Sequence, residues 1–149
     1  MPLATAAHEV TIVTHEIQPI AKNAKAWHQY RILERWEAGM ALQGSEVKSL
    51  RSGRATLTEG YVQARRGELW LMGVDIPQYP QASFANHEPT RPRKLLLHRR
   101  EIQEILGILQ QKGFAMVPLS LYFKRSAAKV EIALARGKTH ADKREDLKK

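Results

Sequence analysis

The sequence predicts a mainly β domain, a small antiparallel barrel or sandwich of about six strands with few helices. Three observations carry this expectation. Strand-like segments recur between glycine-containing turns, and only two stretches keep a helical period. At 149 residues and 43% hydrophobic, the chain can support one core burying roughly 70% of its unfolded surface.

Residues 1 to 22 mix Ala, Thr, His and short apolar pieces without a stable period and read as a loosely held lead-in, with an edge strand at Val10 to Val13. From Trp27 the texture becomes β-friendly. Tyr30, Ile32 and Leu33, then Met40 and Leu42, predict a long strand bent at Gly39. Gly44-Ser45 opens a short helix in which Ser45 can cap, Val47 and Leu50 share a face, and Gly53 suits a left-handed C-terminal cap. Two strands follow, Tyr61 to Arg65 and Glu68 to Val74, joined at Arg66-Gly67. Pro77, Pro80, Pro89 and Pro92 mark a long connection, and loops of that length usually carry function or move. Ile102, Ile105, Leu106 and Leu109 stand at i, i+3, i+4 and i+7 and predict the second helix, ended at Lys112-Gly113. A closing hairpin runs from Met116 to Phe123 and back through Val130, Ile132 and Leu134.

No run approaches the roughly 18 apolar residues that span a bilayer. With no cysteine and six scattered histidines, thiolate chemistry and recognisable metal-ligand spacing are missing, so neither cofactor nor metal is expected. The charge is informative: 24 Lys+Arg against 15 Asp+Glu give +9, which suits a polyanionic partner. It is concentrated in two zones. Arg91, Arg93, Lys94, Arg99 and Arg100 form one, and Arg136, Lys138, Lys143, Arg144, Lys148 and Lys149 form the other.

Gly137-Lys138-Thr139 imitates the end of a phosphate-binding loop, but Ile132 stands where that loop needs its first glycine, so coincidence is the better reading. No GxSxG occurs, and His28, following Trp27 in the predicted strand, is read as a packed residue and not a base. Glu37 is either an exposed strand residue or a hydrogen-bond acceptor for a nucleotide edge. "RPRKLLLHRR" is either a solvated face leading into a helix or a phosphate-binding patch. Its three consecutive leucines cannot all face one core, which favours an apolar contact at the rim of a basic surface. In the tail, Thr139 with Asp142 and Glu145 with Lys149 supply about 1 kcal/mol of helix-favouring terms, too little for so short a helix. The tail is therefore expected to be disordered when free and to order only on an external partner.

The segments "EAGMALQGSEVKSLRSGRATLTEGYV", "EPTRPRKLLLHRREI", "VPLSLYFKRSAAKVEIALARGK" and the tail "DKR" resemble the transfer-messenger RNA-binding family called small protein B, or SmpB, and cover most of residues 23 to 144 in the family's order. The resemblance implies a six-stranded antiparallel OB-like barrel over 23–136 with helices at its sides, preceded by a lead-in over 1–22 and followed by a basic tail over 137–149. It implies a cytoplasmic, monomeric adaptor without enzymatic activity. The adaptor would bind the transfer-RNA-like domain of transfer-messenger RNA and escort it into the empty A site of a stalled bacterial ribosome. Carried over by matching position, the RNA-facing residues would be Asn23, Glu37, Leu96 and Lys129, with Arg93 and Lys94 meeting phosphates. Gly137, Lys138, Asp142, Lys143 and Arg144 would serve the tail in the decoding centre of small-subunit ribosomal RNA and the vacant messenger channel. The chain departs from the family pattern at Ala24 and Trp27, where basic residues are common, and at Ala141, where histidine or an aromatic residue is usual. The alternative is a generic OB-type ribosomal or single-strand-binding protein, which would need aromatic platforms that a 7% aromatic content supplies sparingly.

Overall fold

A computed structural model describes residues 17–82 and 86–137. The elements are β1 (Ile17–Lys22), α1 (Ala24–Gln29), β2 (Tyr30–Met40), α2 (Gly44–Arg51), β3 (Tyr61–Arg65), β4 (Glu68–Met72), β5 (Arg93–Leu96), α3 (Arg99–Leu109), β6 (Phe114–Lys124) and β7 (Ala127–Gly137). The seven strands form one antiparallel sheet in the order β1-β6-β7-β2-β5-β4-β3. The mainly β class and the flanking helices are as expected, but the sheet has seven strands and two open edges where six strands in a barrel were expected. It curls nonetheless: Gly60, just before β3, lies so close to β6 that a Cβ there would stand 2.7 Å from Pro118 Cγ.

Two elements the sequence hid account for the difference. Residues 17–22, assigned to the lead-in, form an edge strand along β6, with Ile17 opposite Lys124 and Lys22 opposite Ser120. Four residues of "RKLL" make β5, too short for alternation to register, yet they bridge β2 and β4. The segment holding Trp27 and His28 is a helix and not the start of the strand. Asn23 decides this locally, because its Oδ1 accepts from the Ala26 N–H at 3.2 Å and caps α1. The edge strand expected at Val10 to Val13 and the expected tail beyond Gly137 lie outside the described residues.

The core fills the inside of the curl. Trp36, Ala38 and Met40 of β2, Leu69 and Leu71 of β4, Leu95 of β5, Met116, Leu121 and Phe123 of β6, and Val130, Ile132 and Leu134 of β7 are buried there, with Ile105 of α3 pressed against them. A bulge in β6 between Pro118 and Ser120 flips the alternation. Val117 and Leu119 consequently face outward, where with Ala133 and Ala135 they form a small second cluster roofed by Ala26 of α1. The helix covers one end of the outer sheet face and leaves the other end bare.

Helix α2 is capped two residues earlier than its sequence suggests, at Gln43. Glu46 Oε1 accepts the Gln43 N–H at 2.7 Å, while Ser45, the expected cap, is buried within the helix. Ser45 Oγ lies 2.8 Å from His87 Nδ1, and His87 Nε2 lies 2.7 Å from the Ile76 carbonyl oxygen. A carbonyl only accepts, so Nε2 carries the proton and, in the neutral ring, Ser45 donates to Nδ1. This contact pins the long proline-marked connection to α2.

Candidate nucleic-acid interface

Strand register assembles the bare end of the outer face. Leu96 of β5 stands opposite Gly39 of β2, Gly39 opposite Lys129 of β7, and Lys129 opposite Tyr122 of β6, so one row crosses four strands. One step along, Glu37 stands opposite Glu131, which in turn faces Ser120. Because side chains two apart in a strand share a face, Glu37 joins that row's side, and Lys94 joins Leu96. Four sequence-predicted residues, Glu37, Lys94, Leu96 and Lys129, thus come together on one surface although they are scattered through the chain.

The chemistry of the surface is specific. Glu37 accepts a short hydrogen bond from the Tyr122 hydroxyl on Oε2 and a second from Lys124 Nζ at 3.3 Å on Oε1. Partial burial works to raise its pKa, but those two hydrogen bonds and the charges of Lys124 and Lys129 outweigh burial and hold the carboxyl below its ordinary value. The same contact works oppositely on Tyr122, where burial first and then the bond and charge of Glu37 push the phenol well up. A fixed, ionised carboxylate with unused lone pairs can accept from a base amine, an imino N–H or a ribose hydroxyl. Leu96 is 51% exposed and lies across the Gly39 backbone, where an added Cβ would meet Leu96 Cβ at 3.4 Å. It presents an apolar surface beside that carboxylate, while Leu95 is buried, the division the triple leucine requires. Lys94 ion-pairs with Glu68 at 3.0 Å, both half-exposed, an arrangement weak enough to yield to a phosphate.

Two predicted residues do not belong to this surface. Arg93, expected to meet phosphates, is fully buried: Nε donates to Glu46 Oε2 at 2.7 Å, Nη1 to the Val74 carbonyl at 2.6 Å, and Nη2 to the Pro89 carbonyl at 2.9 Å. Strand alternation explains the misplacement, since Arg93 shares the inward face of β5 with Leu95. Glu46 also accepts from Arg91 Nη2 at 2.6 Å, so one buried carboxylate holds two guanidiniums. Burial works to raise Glu46, yet the hydrogen bonds from Arg91, the Gln43 backbone and Arg93 leave it below its ordinary value. Burial pulls Arg93 down from its usual value against the opposing bond and charge of Glu46. Asn23 is likewise buried, and its Nδ2 donates to the Pro118 carbonyl at 2.9 Å and the Leu57 carbonyl at 3.3 Å. Its side chain ties β1 and α1 to β6, which corrects its expected place on the surface: it shapes the scaffold. Gly137 closes β7 opposite Tyr30, and Lys138, Asp142, Lys143 and Arg144 lie outside the described residues.

Tyr122 and Lys124 were not singled out from sequence. The alternation of "SLYFK" carries the signal, since burying Leu121 and Phe123 turns Ser120, Tyr122 and Lys124 outward. Among the described residues no group of three or more His, Cys, Asp or Glu converges as metal ligands would, and no helix is long and apolar enough to cross a membrane.

Comparison with known proteins sets this geometry among relatives. The family model described as "SmpB protein" matches residues 20–149. An SsrA-binding protein of Acidothermus cellulolyticus is 56% identical over 86% of this chain and 80% of its own length, and that of Carboxydothermus hydrogenoformans is 52% identical over 87% of each. The SsrA-binding protein of Mycobacterium tuberculosis is 54% identical over 87% of this chain and 81% of its own length. A solved structure described as "tmRNA-SmpB: a journey to the center of the bacterial ribosome" matches with a TM-score of 0.69 and 46% identity, covering 87% of this chain and 94% of that one.

Proposed function

Because this chain belongs to the SmpB family, we propose that it binds the transfer-RNA-like domain of transfer-messenger RNA and delivers it to the A site of stalled bacterial ribosomes for trans-translation. The observation that carries the reading is the outer-face cluster, in which Glu37, Leu96 and Lys129 from three separate strands converge. Glu37, held ionised by Tyr122 and Lys124, accepts from a nucleotide edge, Leu96 packs against an unstacked base, and Lys129 and Lys94 meet phosphates. This is recognition of folded RNA and needs no reacting group, so on this reading the protein acts as an adaptor and not as an enzyme, and the same family reading makes it cytoplasmic and monomeric. On the same reading, the segment after the sheet, expected over 137–149, occupies the decoding centre and vacant messenger channel, and the sheet domain, which runs from Ile17 to Gly137, holds the RNA.

Affinity for the transfer-RNA-like domain measured against unrelated single strands of equal length at matched salt tests the proposal. The folded domain is expected to bind far more tightly, and equal affinities would favour a generic single-strand binder. Lys129→Ala should lower the magnitude of the log-affinity against log-salt slope by about 0.7–0.9, the share of one phosphate contact. Removal of residues 138–149 should leave RNA affinity nearly intact while abolishing tagging on stalled ribosomes, and loss of both together would place the tail within the RNA-binding surface.

A further inference from the structure

Trp27, on α1, is 47% exposed although its neighbour Ala26 is buried against the outer-face cluster of Val117, Leu119, Ala133 and Ala135. A single exposed apolar side chain is ordinary on a protein surface. Trp27 differs in its setting. The buried Ala26 and the Asn23 cap fix its short helix on the sheet. The Arg35 guanidinium sits 5.7 Å from its ring centroid. Arg35 Nη1 also reaches Glu131 Oε1 at 4.0 Å, and Glu131 is the register partner of Glu37. Neighbouring residues on one sheet face, Glu37, Glu131 and Arg35, therefore lie between the proposed RNA-binding carboxylate and an indole carried on a rigid base.

We propose that Trp27 and Arg35 form a stacking platform that receives one unpaired base of the RNA, extending the outer-face interface beyond Glu37. The inference rests on the RNA-binding reading of that face and names a contact it does not include. The chemistry favours this occupant. Indole is the strongest aromatic partner for a cation and offers a broad π-face, a guanidinium plane stacks on bases as aromatic rings do, and an arginine beside the ring supplies donors to the phosphate of the same nucleotide. An apolar protein partner would find no continuous greasy surface here, because Arg35, Glu131 and Glu37 surround the path between the indole and Leu96.

The full-length protein titrated with an in vitro transcribed transfer-RNA-like domain tests this by two independent readouts, tryptophan emission and gel-shift affinity. Trp36 is buried in the core, so a change in emission on RNA binding reports chiefly on Trp27 and the half-buried Trp70, which stands opposite Lys94. RNA is expected to quench emission along the same saturation curve as the gel shift, and Trp27→Phe is expected to remove most of the quench while keeping affinity within about threefold. Trp27→Leu keeps apolar area without a π-face and is expected to weaken binding on the order of tenfold, with an unchanged circular dichroism spectrum. Wild-type affinity in Trp27→Leu together with an undiminished quench in Trp27→Phe would overturn the platform while leaving the RNA-binding reading intact. Failure of the wild-type protein to prefer the structured RNA would remove that reading and the platform with it.

Discussion

Replacing Arg93 with alanine separates a buried structural cation from a surface one. The side chain donates three hydrogen bonds inside the protein, to Glu46, Val74 and Pro89, and has no exposed surface. Its removal leaves two buried carbonyl oxygens without that donor and strips Glu46 of one of its two guanidiniums, although Arg91 and the Gln43 N–H remain. Removing one partner of a buried ion pair costs about 3–5 kcal/mol. That is about a fifth or more of the roughly 5–15 kcal/mol that holds a typical domain folded. Urea unfolding followed by circular dichroism should show the midpoint falling accordingly, whereas Lys129→Ala should shift stability by no more than about 0.5 kcal/mol. The pH dependence has a definite sign. Glu46 has a folded pKa below its ordinary value of 4.5, so its contribution is fully present above that value and is lost as pH falls through the lower folded pKa. The difference in stability between the wild type and Arg93→Ala should therefore shrink in acid below about pH 4.5. An Arg93→Ala protein that unfolds at the wild-type midpoint yet loses about one unit of salt slope in RNA binding would refute the reasoning and return Arg93 to the phosphate-contacting surface.

Gly60→Ala places a Cβ 2.7 Å from Pro118 Cγ and 2.8 Å from Val74 Cγ2. It should destabilise by about 1–3 kcal/mol in the same unfolding assay, because the sheet must uncurl at the contact between the start of β3 and β6. Gly107, inside α3, has open space at its Cβ position, so Gly107→Ala should stabilise by about 0.5–1 kcal/mol. Absorbance at 295 nm during alkaline titration should show one of the four tyrosines ionising well after the rest, and Glu37→Gln should bring that late phase back toward the others. A late phase that survives Glu37→Gln unchanged would mean that burial alone, and not the carboxylate, holds Tyr122 protonated.

Long periodic segments were legible in the sequence because one face of each meets the core. The stripe of Ile102, Ile105 and Leu106 marks α3, and Val130, Ile132 and Leu134 mark β7. Glycine turns located the β3–β4 hairpin, where Arg66 and Gly67 both take positive φ. Elements whose identity is settled by distant partners escaped. Residues 17–22 become a strand because β6 offers an unpaired edge, and "AKAWHQ" becomes a helix because Asn23 caps it and Ala26 finds an apolar patch created by a bulge elsewhere. Glu37, Leu96, Lys94 and Lys129 were nameable through family resemblance, but their common surface exists only through register. Arg93 shows the limit of reasoning from charge. Next to an exposed-looking Lys94, its basic character suggested phosphate contact, while the decisive fact was the buried Glu46 nearly fifty positions earlier in the chain.

The pairing of β2 with β7, which sets Tyr30 against Gly137, joins strands from opposite ends of the described chain. At a synthesis rate of about 5–20 residues per second, β2 leaves the ribosome on the order of 5–20 s before its partner does. During that interval Trp36, Ala38 and Met40 lack their β7 neighbours, while the register of the β3–β4 hairpin is set by local contacts. Closure of the sheet between β2 and β6 thus waits for β7, the last strand of the described residues. A synthesis that halts short of β7 would leave β2 paired to β5 alone, with its other edge open to proteolysis and edge-to-edge association.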